Sequence, residues 1–239
     1  MLIKISIWIR PIIYLYYKGN KFLDPIDGKS YRKFLPYGYG KQRQNALSPG
    51  TLSLERHRQM WLYLQNETNF FQDNLKVLHI APEQEFLRKF RKMKNLDYIS
   101  ADLYSPIVDV KADILDLPFP DNSFDVVFCN HVLEHINDDR KAMSELYRVL
   151  KPGGWGILQV PMKNSLEKTY EDFTITDPKE RQKHFGQYDH VRWYGLDYFQ
   201  RLQSVGFHTN ALYYSQRFSE EEIKKFGLIK NEILPLVSK

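Results

Sequence analysis

An α/β domain, a mostly parallel sheet with helices on both faces and a small N-terminal extension, is the architecture expected of this chain, and three features say so. From Leu75 onward short apolar runs alternate with amphipathic stretches, which is how strands buried between layers of helix read in sequence. The 239 residues are 43% hydrophobic and 15% aromatic, enough to bury one good-sized core with a small appendage and too apolar for a disordered chain. Residues 1–72 differ from the rest in charge and in their glycine and proline content, which places a boundary there: an extension over 1–72 and the sheet domain over 73–239.

The opening stretch MLIKISIWIRPIIYLYYKGNK is interrupted by Lys4, Arg10 and Pro11 and lacks a small-residue cleavage site. It fits neither a signal peptide nor a membrane span of ~20 apolar residues. Ile5, Trp8, Ile9, Ile12, Ile13 and Tyr16 fall at helical spacing and form one apolar stripe, fit to dock on the rest of the protein or to lie on a membrane surface. Residues 19–50 are punctuated by Gly19, Pro25, Gly28, Pro36, Gly38, Gly40, Pro49 and Gly50 and read as loop-rich. A helix follows from Ser53, its possible N-cap, with Leu54, His57, Trp61 and Leu64 on one face.

Next come a strand over Leu75–Ile80, a helix over Glu83–Lys94 and strands over Leu96–Ala101 and Phe124–Asn130. The helix over Asp138–Leu150 is capped by Asn137, favours Asp138 and Asp139 at the positive end of its dipole, and turns Met143, Leu146, Tyr147 and Leu150 inward. Lys151-Pro-Gly-Gly ends it and reverses the backbone into a strand over Trp155–Val160. A helix over Leu196–Val205, a strand over His208–Tyr214, a short acidic helix near Ser219 and a strand over Glu232–Val237 complete the chain.

Charge is unevenly spread. Residues 1–72 carry 11 basic and 4 acidic side chains, while the remainder carries 23 basic and 25 acidic. The excess positive charge therefore sits in the N-terminal segment, where it suits nucleic acid, an anionic membrane surface or an acidic substrate, or else forms a solvated face. The single cysteine, Cys129, cannot form an internal disulfide, which points to a reducing, cytoplasmic setting, with peripheral membrane contact through the N-terminal stripe as an option.

In an open parallel sheet, ligands bind beyond the carboxyl ends of the strands. The segments there are His79-Ile-Ala-Pro-Glu-Gln-Glu, Ala101-Asp102-Leu103, Lys111-Ala-Asp113-Ile114 and Asn130-His131. Asp102, following the second strand, is placed to accept from ribose hydroxyls. Asp113 and Ile114 combine an acceptor for an exocyclic amine with an apolar surface for a flat base.

Together these residues resemble a class I S-adenosylmethionine-dependent methyltransferase, most specifically in Leu115–Gly154, which contains DLPFPDNSFDVVFCNHVLEHINDDRKAMSELYRVLKPGG. The resemblance runs from about Leu75 to the end. It implies a Rossmann-like seven-stranded sheet with one antiparallel strand, S-adenosyl-L-methionine as cofactor, Asp102 and Leu103 at the ribose, Asp113 and Ile114 at the adenine, and Asn130 and His131 beside the sulfonium. The turn after the first strand departs from the usual glycine-rich form: it is Ala81-Pro-Glu-Gln, with His79 where an acidic residue is usual. The phrase LHIAPE, with the downstream TYED and RQKHFGQYDHVRWYG, is similar to a bacterial branch of the superfamily in which Glu83 meets the positive charge of the cofactor. That branch opens with a zinc knuckle of paired CPxC motifs. The matching positions here are Asp24-Pro-Ile-Asp27 and Ser48-Pro-Gly-Thr51, which lack thiolates, so a loop without metal is expected, packed by Tyr31, Phe34, Leu35, Tyr37 and Tyr39.

His131-Val-Leu-Glu134-His135 also matches the H-x-x-E-H pattern of inverted zinc peptidases. It follows directly on a buried strand and suggests no third ligand, so no metal site is expected there.

Methyl transfer from a sulfonium requires alignment of the acceptor, exclusion of water and, for a hydroxyl or amine, removal of a proton. The block after the fifth strand supplies Tyr170, Glu171, Asp172, His184, Tyr188, Asp189, His190 and Arg192. His190 oriented by Asp189 or Asp172 is the first candidate base and His131 the second, while Tyr188 or Trp193 can shelter the cation. Tyr170, Asp172, His184 and Arg192 are candidate acceptor contacts, Arg192 suiting an anionic acceptor. The function expected is methyl transfer to an unidentified acceptor. The alternative is a non-catalytic protein of the same fold that contacts nucleic acid or membrane through its basic segment.

Overall fold

A computed structural model describes residues 12–38 and 42–239. Ile5, Trp8 and Ile9 of the apolar stripe, and Tyr39, lie outside the described residues. Two compact units divide the chain: residues up to Gln72 join Tyr213–Leu234 in one, and Asp73–Leu212 join Pro235–Lys239 in the other. The boundary expected at residue 72 thus differs in one respect, the placement of 213–234 with the N-terminal unit. No helix among the described residues is long and apolar enough to cross a membrane.

The first unit begins with helix α1 (residues 12–17) and two antiparallel pairs, β1 (Lys18–Asp24) with β2 (Lys29–Tyr31) and β3 (Leu35–Tyr37) with β4 (Arg43–Leu47). Phe22, Tyr31 and Phe34 form its small aromatic core, with Tyr14 and Tyr17 packed against them. At two of the positions matched to the knuckle, Asp24 accepts from the Thr51 hydroxyl at 2.5 Å and the Ser53 hydroxyl at 3.1 Å, and Asp27 accepts from the Tyr31 hydroxyl at 2.6 Å. Ser53, expected to cap helix α2 (Glu55–Glu67), is therefore spent on Asp24; Leu54 takes the cap position and His57 Nδ1 accepts from its amide. Arg58 is wholly buried and donates to the carbonyls of Ser53, Ala46, Phe226 and Gly227, so one guanidinium ties α2 to β4 and to residues 226–227. Burial lowers its pKa to about 10.

The second unit contains β5 (Leu75–Ile80), α3 (Gln84–Phe90), β6 (Leu96–Asp102), β7 (Val110–Lys111), β8 (Phe124–Cys129), α4 (Asp139–Val149) and β9 (Leu150–Ile157). These are followed by β10 (Tyr170–Glu171), α5 (Pro178–Phe185), β11 (Arg192–Trp193), α6 (Tyr198–Ser204) and β12 (His208–Leu212); α7 (Glu220–Phe226), of the first unit, and β13 (Leu234–Ser238) end the chain. The main sheet has seven strands in the order β12-β13-β9-β8-β5-β6-β7, with β5 through β9 parallel and β13 antiparallel to β9. Connections leave β5 toward β6 on one side, while β8 returns on the other, so the order reverses between β5 and β8. Crevices for ligands open at such a point.

Local chemistry explains the differences in boundary. Helix α3 stops at Phe90, shorter than expected; Arg91, its C-cap, still donates its amide to the Leu87 carbonyl, while its side chain reaches Asp109 at 2.7 Å and the Ile107 carbonyl at 2.8 Å. Asp138 rather than Asn137 caps α4, accepting from the Lys141 amide at 3.0 Å. Lys151–Gly154 is a bulge within β9 rather than a separate turn: the pairing passes from Phe124 opposite Leu150 to Val126 opposite Trp155, and Gly153 supplies a φ of +78°.

Candidate active site

A cleft of about 460 Å³ opens beyond the carboxyl ends of β5 to β8 and is lined by Ile80, Ala81, Asp102, Leu103, Tyr104, Ala112, Asp113, Ile114, His131, Val132, His135, Ile136 and Asp189. Ala81 follows β5 with a φ of +45°, a left-handed conformation that favours glycine, and its amide donates to the Ala101 carbonyl at 2.8 Å. The glycine-type turn is thus present with a methyl group in place of a hydrogen. Asp102 Oδ1 accepts from the amides of Tyr104 at 2.7 Å and Ser105 at 2.6 Å, which fixes the carboxylate at the tip of β6. Asp113 is exposed, accepts from the Leu115 amide at 2.9 Å and stands beside buried Ile114. Below this wall, Arg148 donates to the Leu117 and Phe119 carbonyls and Glu145 accepts from the Leu117 amide, so α4 braces the loop that carries Asp113.

The other wall begins at His131, whose φ of +54° sets it off β8 and whose amide donates to the Gln159 carbonyl at 2.7 Å. His131 Nδ1 lies 3.2 Å from Oε1 of Glu134. Burial pushes the Glu134 carboxyl upward, but its hydrogen bond to His131 and the nearby imidazoles outweigh this and hold it below the usual range. His135 Nδ1 faces Asp189, 3.3 Å from its carbonyl and 3.4 Å from its carboxylate.

Of the expected cofactor residues, Ala81, Asp102, Leu103, Asp113, Ile114 and His131 line one cleft. His79 does not. It is fully buried, with Nδ1 2.9 Å from the Tyr98 hydroxyl and Nε2 3.0 Å from Glu83, among Phe86, Phe90 and Phe128. Glu83 is correspondingly held against His79 rather than lining the cleft. Asn130 is buried and accepts from the Gln159 amide at 3.3 Å, bridging the ends of β8 and β9.

The acceptor block is rearranged more. Arg192 is completely buried, with its donors on Glu171 at 2.8 Å and on the carbonyls of Leu133, Ile136 and Asn137, so it holds the backbone around Glu134 and does not read an acceptor; the inference of an anionic acceptor loses its residue. Asp189 contacts His135 instead of orienting His190. His190 is buried against the His135 ring, its Nδ1 3.2 Å from the Phe185 carbonyl, and burial depresses its pKa. Tyr170 and His184 bind each other at 2.8 Å, Asp172 accepts from Thr174, and Tyr188 is exposed; none of the four lines the cleft.

Sequence reasoning passed over Tyr104, Val132, Ile136 and His135 as cleft residues. His135 carried a signal in the H-x-x-E-H phrase, and His190, 55 residues downstream, lies beside it and Glu134, with one donor atom of each within 4.8 Å of the others.

Residues 64–158 match a family described as a methyltransferase domain. The uncharacterized protein MJ0638 of Methanocaldococcus jannaschii is 50% identical over 66 residues, 27% of this chain and 29% of that protein. The ubiquinone/menaquinone biosynthesis C-methyltransferase UbiE of Enterobacter sp. is 32% identical over 95 residues, 38% of this chain and 34% of that protein. The match thus spans about a third of the length of these curated relatives. A solved structure assigned as a sarcosine dimethylglycine methyltransferase from Galdieria sulphuraria shares the fold at a TM-score of 0.50, with 16% identity over 88% of this chain and 73% of that one.

Proposed function

We propose, from the similarity of residues 64–158 to a methyltransferase domain, that the cleft at the β5–β8 strand ends binds S-adenosylmethionine and transfers its methyl group to an acceptor held beside His131. One observation carries the reading. Asp102, the Asp113–Ile114 pair and His131, distant in sequence, line a single cleft at the point where strand order reverses.

The residues present fit an adenosine. Asp102 has one oxygen committed to backbone amides, and its other carboxylate oxygen suits a ribose hydroxyl. Asp113 offers an acceptor for the adenine amine while Leu103 and Ile114 supply apolar surface for the ring. Ala81, the small residue of the left-handed turn, lets backbone approach the methionine moiety closely. The cofactor supplies a methyl group on a cationic sulfonium. The chain has to align the acceptor, keep water out and remove a proton where the acceptor is a hydroxyl or amine. His131, backed at Nδ1 by Glu134, is the cleft imidazole for that proton.

Calorimetry with S-adenosylhomocysteine tests this reading. Micromolar binding that weakens at least ~10-fold in Asp102→Ala supports it, since a hydrogen bond to a charged group contributes ~1.5–3 kcal/mol. No heat at millimolar ligand overturns it.

A further inference from the structure

Glu134, His135 and His190 each offer one donor atom, and these atoms lie within 4.8 Å of one another. Three further features show that the group is built to hold something. The first is an orphan: Glu134 is 1% exposed, its Oε1 meets His131, and its Oε2 is buried with no hydrogen-bond partner among the described residues. A buried carboxylate oxygen without a partner is costly unless a cation or donor meets it.

The second feature is how the imidazoles are held. His190 Nδ1 is 3.2 Å from the Phe185 carbonyl, and His135 Nδ1 is 3.3 Å from the Asp189 carbonyl and 3.4 Å from its carboxylate. A proton on each Nδ1 satisfies these acceptors and leaves the Nε2 lone pair for a ligand, the arrangement found in metal-ligating histidines. The third is rigidity of the backbone. Arg192 takes the carbonyls of Leu133, Ile136 and Asn137, and the Val191 amide donates to the Glu134 carbonyl at 3.0 Å, so both ligand-bearing segments are fixed to each other.

We propose that Glu134, His135 and His190 bind one divalent cation at the end of the cleft, where His135 and Asp189 line the space, and that the ion takes an oxygen of the methyl acceptor. Two imidazoles and a carboxylate suit ions of the zinc, cobalt, manganese and iron class better than calcium or magnesium, which prefer oxygen donors. Three protein ligands leave positions open for substrate. The metal site stands on its own geometry; its role toward the acceptor rests on the methyltransferase reading.

The test is titration of the full, chelator-treated chain with cobalt(II), followed by its visible d–d absorption. About one equivalent should bind, and His190→Ala, Glu134→Gln and His135→Gln should each weaken binding at least ~10-fold. His135 is the most exposed of the three, so His135→Gln keeps the test decisive should a buried substitution unfold the chain, which circular dichroism in metal-free buffer reports. No stoichiometric binding at about 0.1 mM cobalt, or binding unchanged in His135→Gln and His190→Ala, overturns the site. Calorimetry of the metal-free chain with S-adenosylhomocysteine separates the two readings: heat without cobalt binding removes the metal alone, and cobalt binding without heat removes the cofactor alone.

Discussion

The imidazole of His79 stands 3.0 Å from the carboxylate of Glu83, joining the end of β5 to the start of α3, while its other nitrogen lies 2.9 Å from the Tyr98 hydroxyl. His79 is thereby part of the core, and the acid four residues on is held beside it.

His79→Ala should therefore act on stability before binding. It removes a buried ring packed among three phenylalanines and two hydrogen bonds, for an expected loss of ~3–5 kcal/mol in denaturant unfolding. A loss below about 1 kcal/mol would show that the ring is not structural.

Ala81→Gly should do the reverse. At a φ of +45° the alanine Cβ is strained, so glycine is expected to stabilise by ~0.5–1 kcal/mol, and Ala81→Val to destabilise by more than that. Equal midpoints for the wild type and both variants would contradict this.

Arg192 shares Glu171 with Arg201, which also binds Asp139 at 3.0 Å. Arg192→Met leaves Glu171 and three carbonyls short of a donor and should cost ~3–5 kcal/mol. Arg192→Lys keeps the charge but not the planar fork and should recover only part of that. Full recovery by lysine would mean that charge alone matters there.

Glu232 gives a pH signature in the first unit. Burial pushes its carboxyl up to about 7, against the opposing pull of Arg56, Arg43 and Arg58. Because its folded pKa lies above the unfolded value of ~4.3, the folded state holds a proton that the unfolded state has lost, and stability falls as pH rises between these values. The expected loss is on the order of 2 kcal/mol, and Glu232→Gln should flatten it. A slope that persists in the variant would assign it to another group.

The alternation from Leu75 onward was enough to place β5, β6, β8 and the second half of β9, because strands buried on both faces read as unbroken apolar runs whatever surrounds them, but not the two-residue β7. Boundaries followed side-chain competition that spacing does not record. Ser53 gives its hydroxyl to Asp24 and leaves the cap position of α2 to Leu54. Placement of 213–234 with the N-terminal unit was likewise invisible, since it depends on carbonyls of Phe226 and Gly227 reaching Arg58, 168 and 169 residues away in sequence.

At the site, the chain order placed Asp102 and His131 at one edge, because both stand at the ends of parallel strands and such strands finish on the same edge of a sheet, while Asp113 and Ile114 follow β7, a two-residue strand the spacing does not mark. Which of the remaining polar groups face that crevice was decided only by the tertiary structure. Arg192 reads in sequence as an acceptor contact and His190 as a base, yet burial turned the first into a clamp on 133–137 and set the second against His135 and Glu134. Proximity in sequence does not fix the direction of a side chain in a loop; the hydrogen bonds that satisfy its buried atoms do.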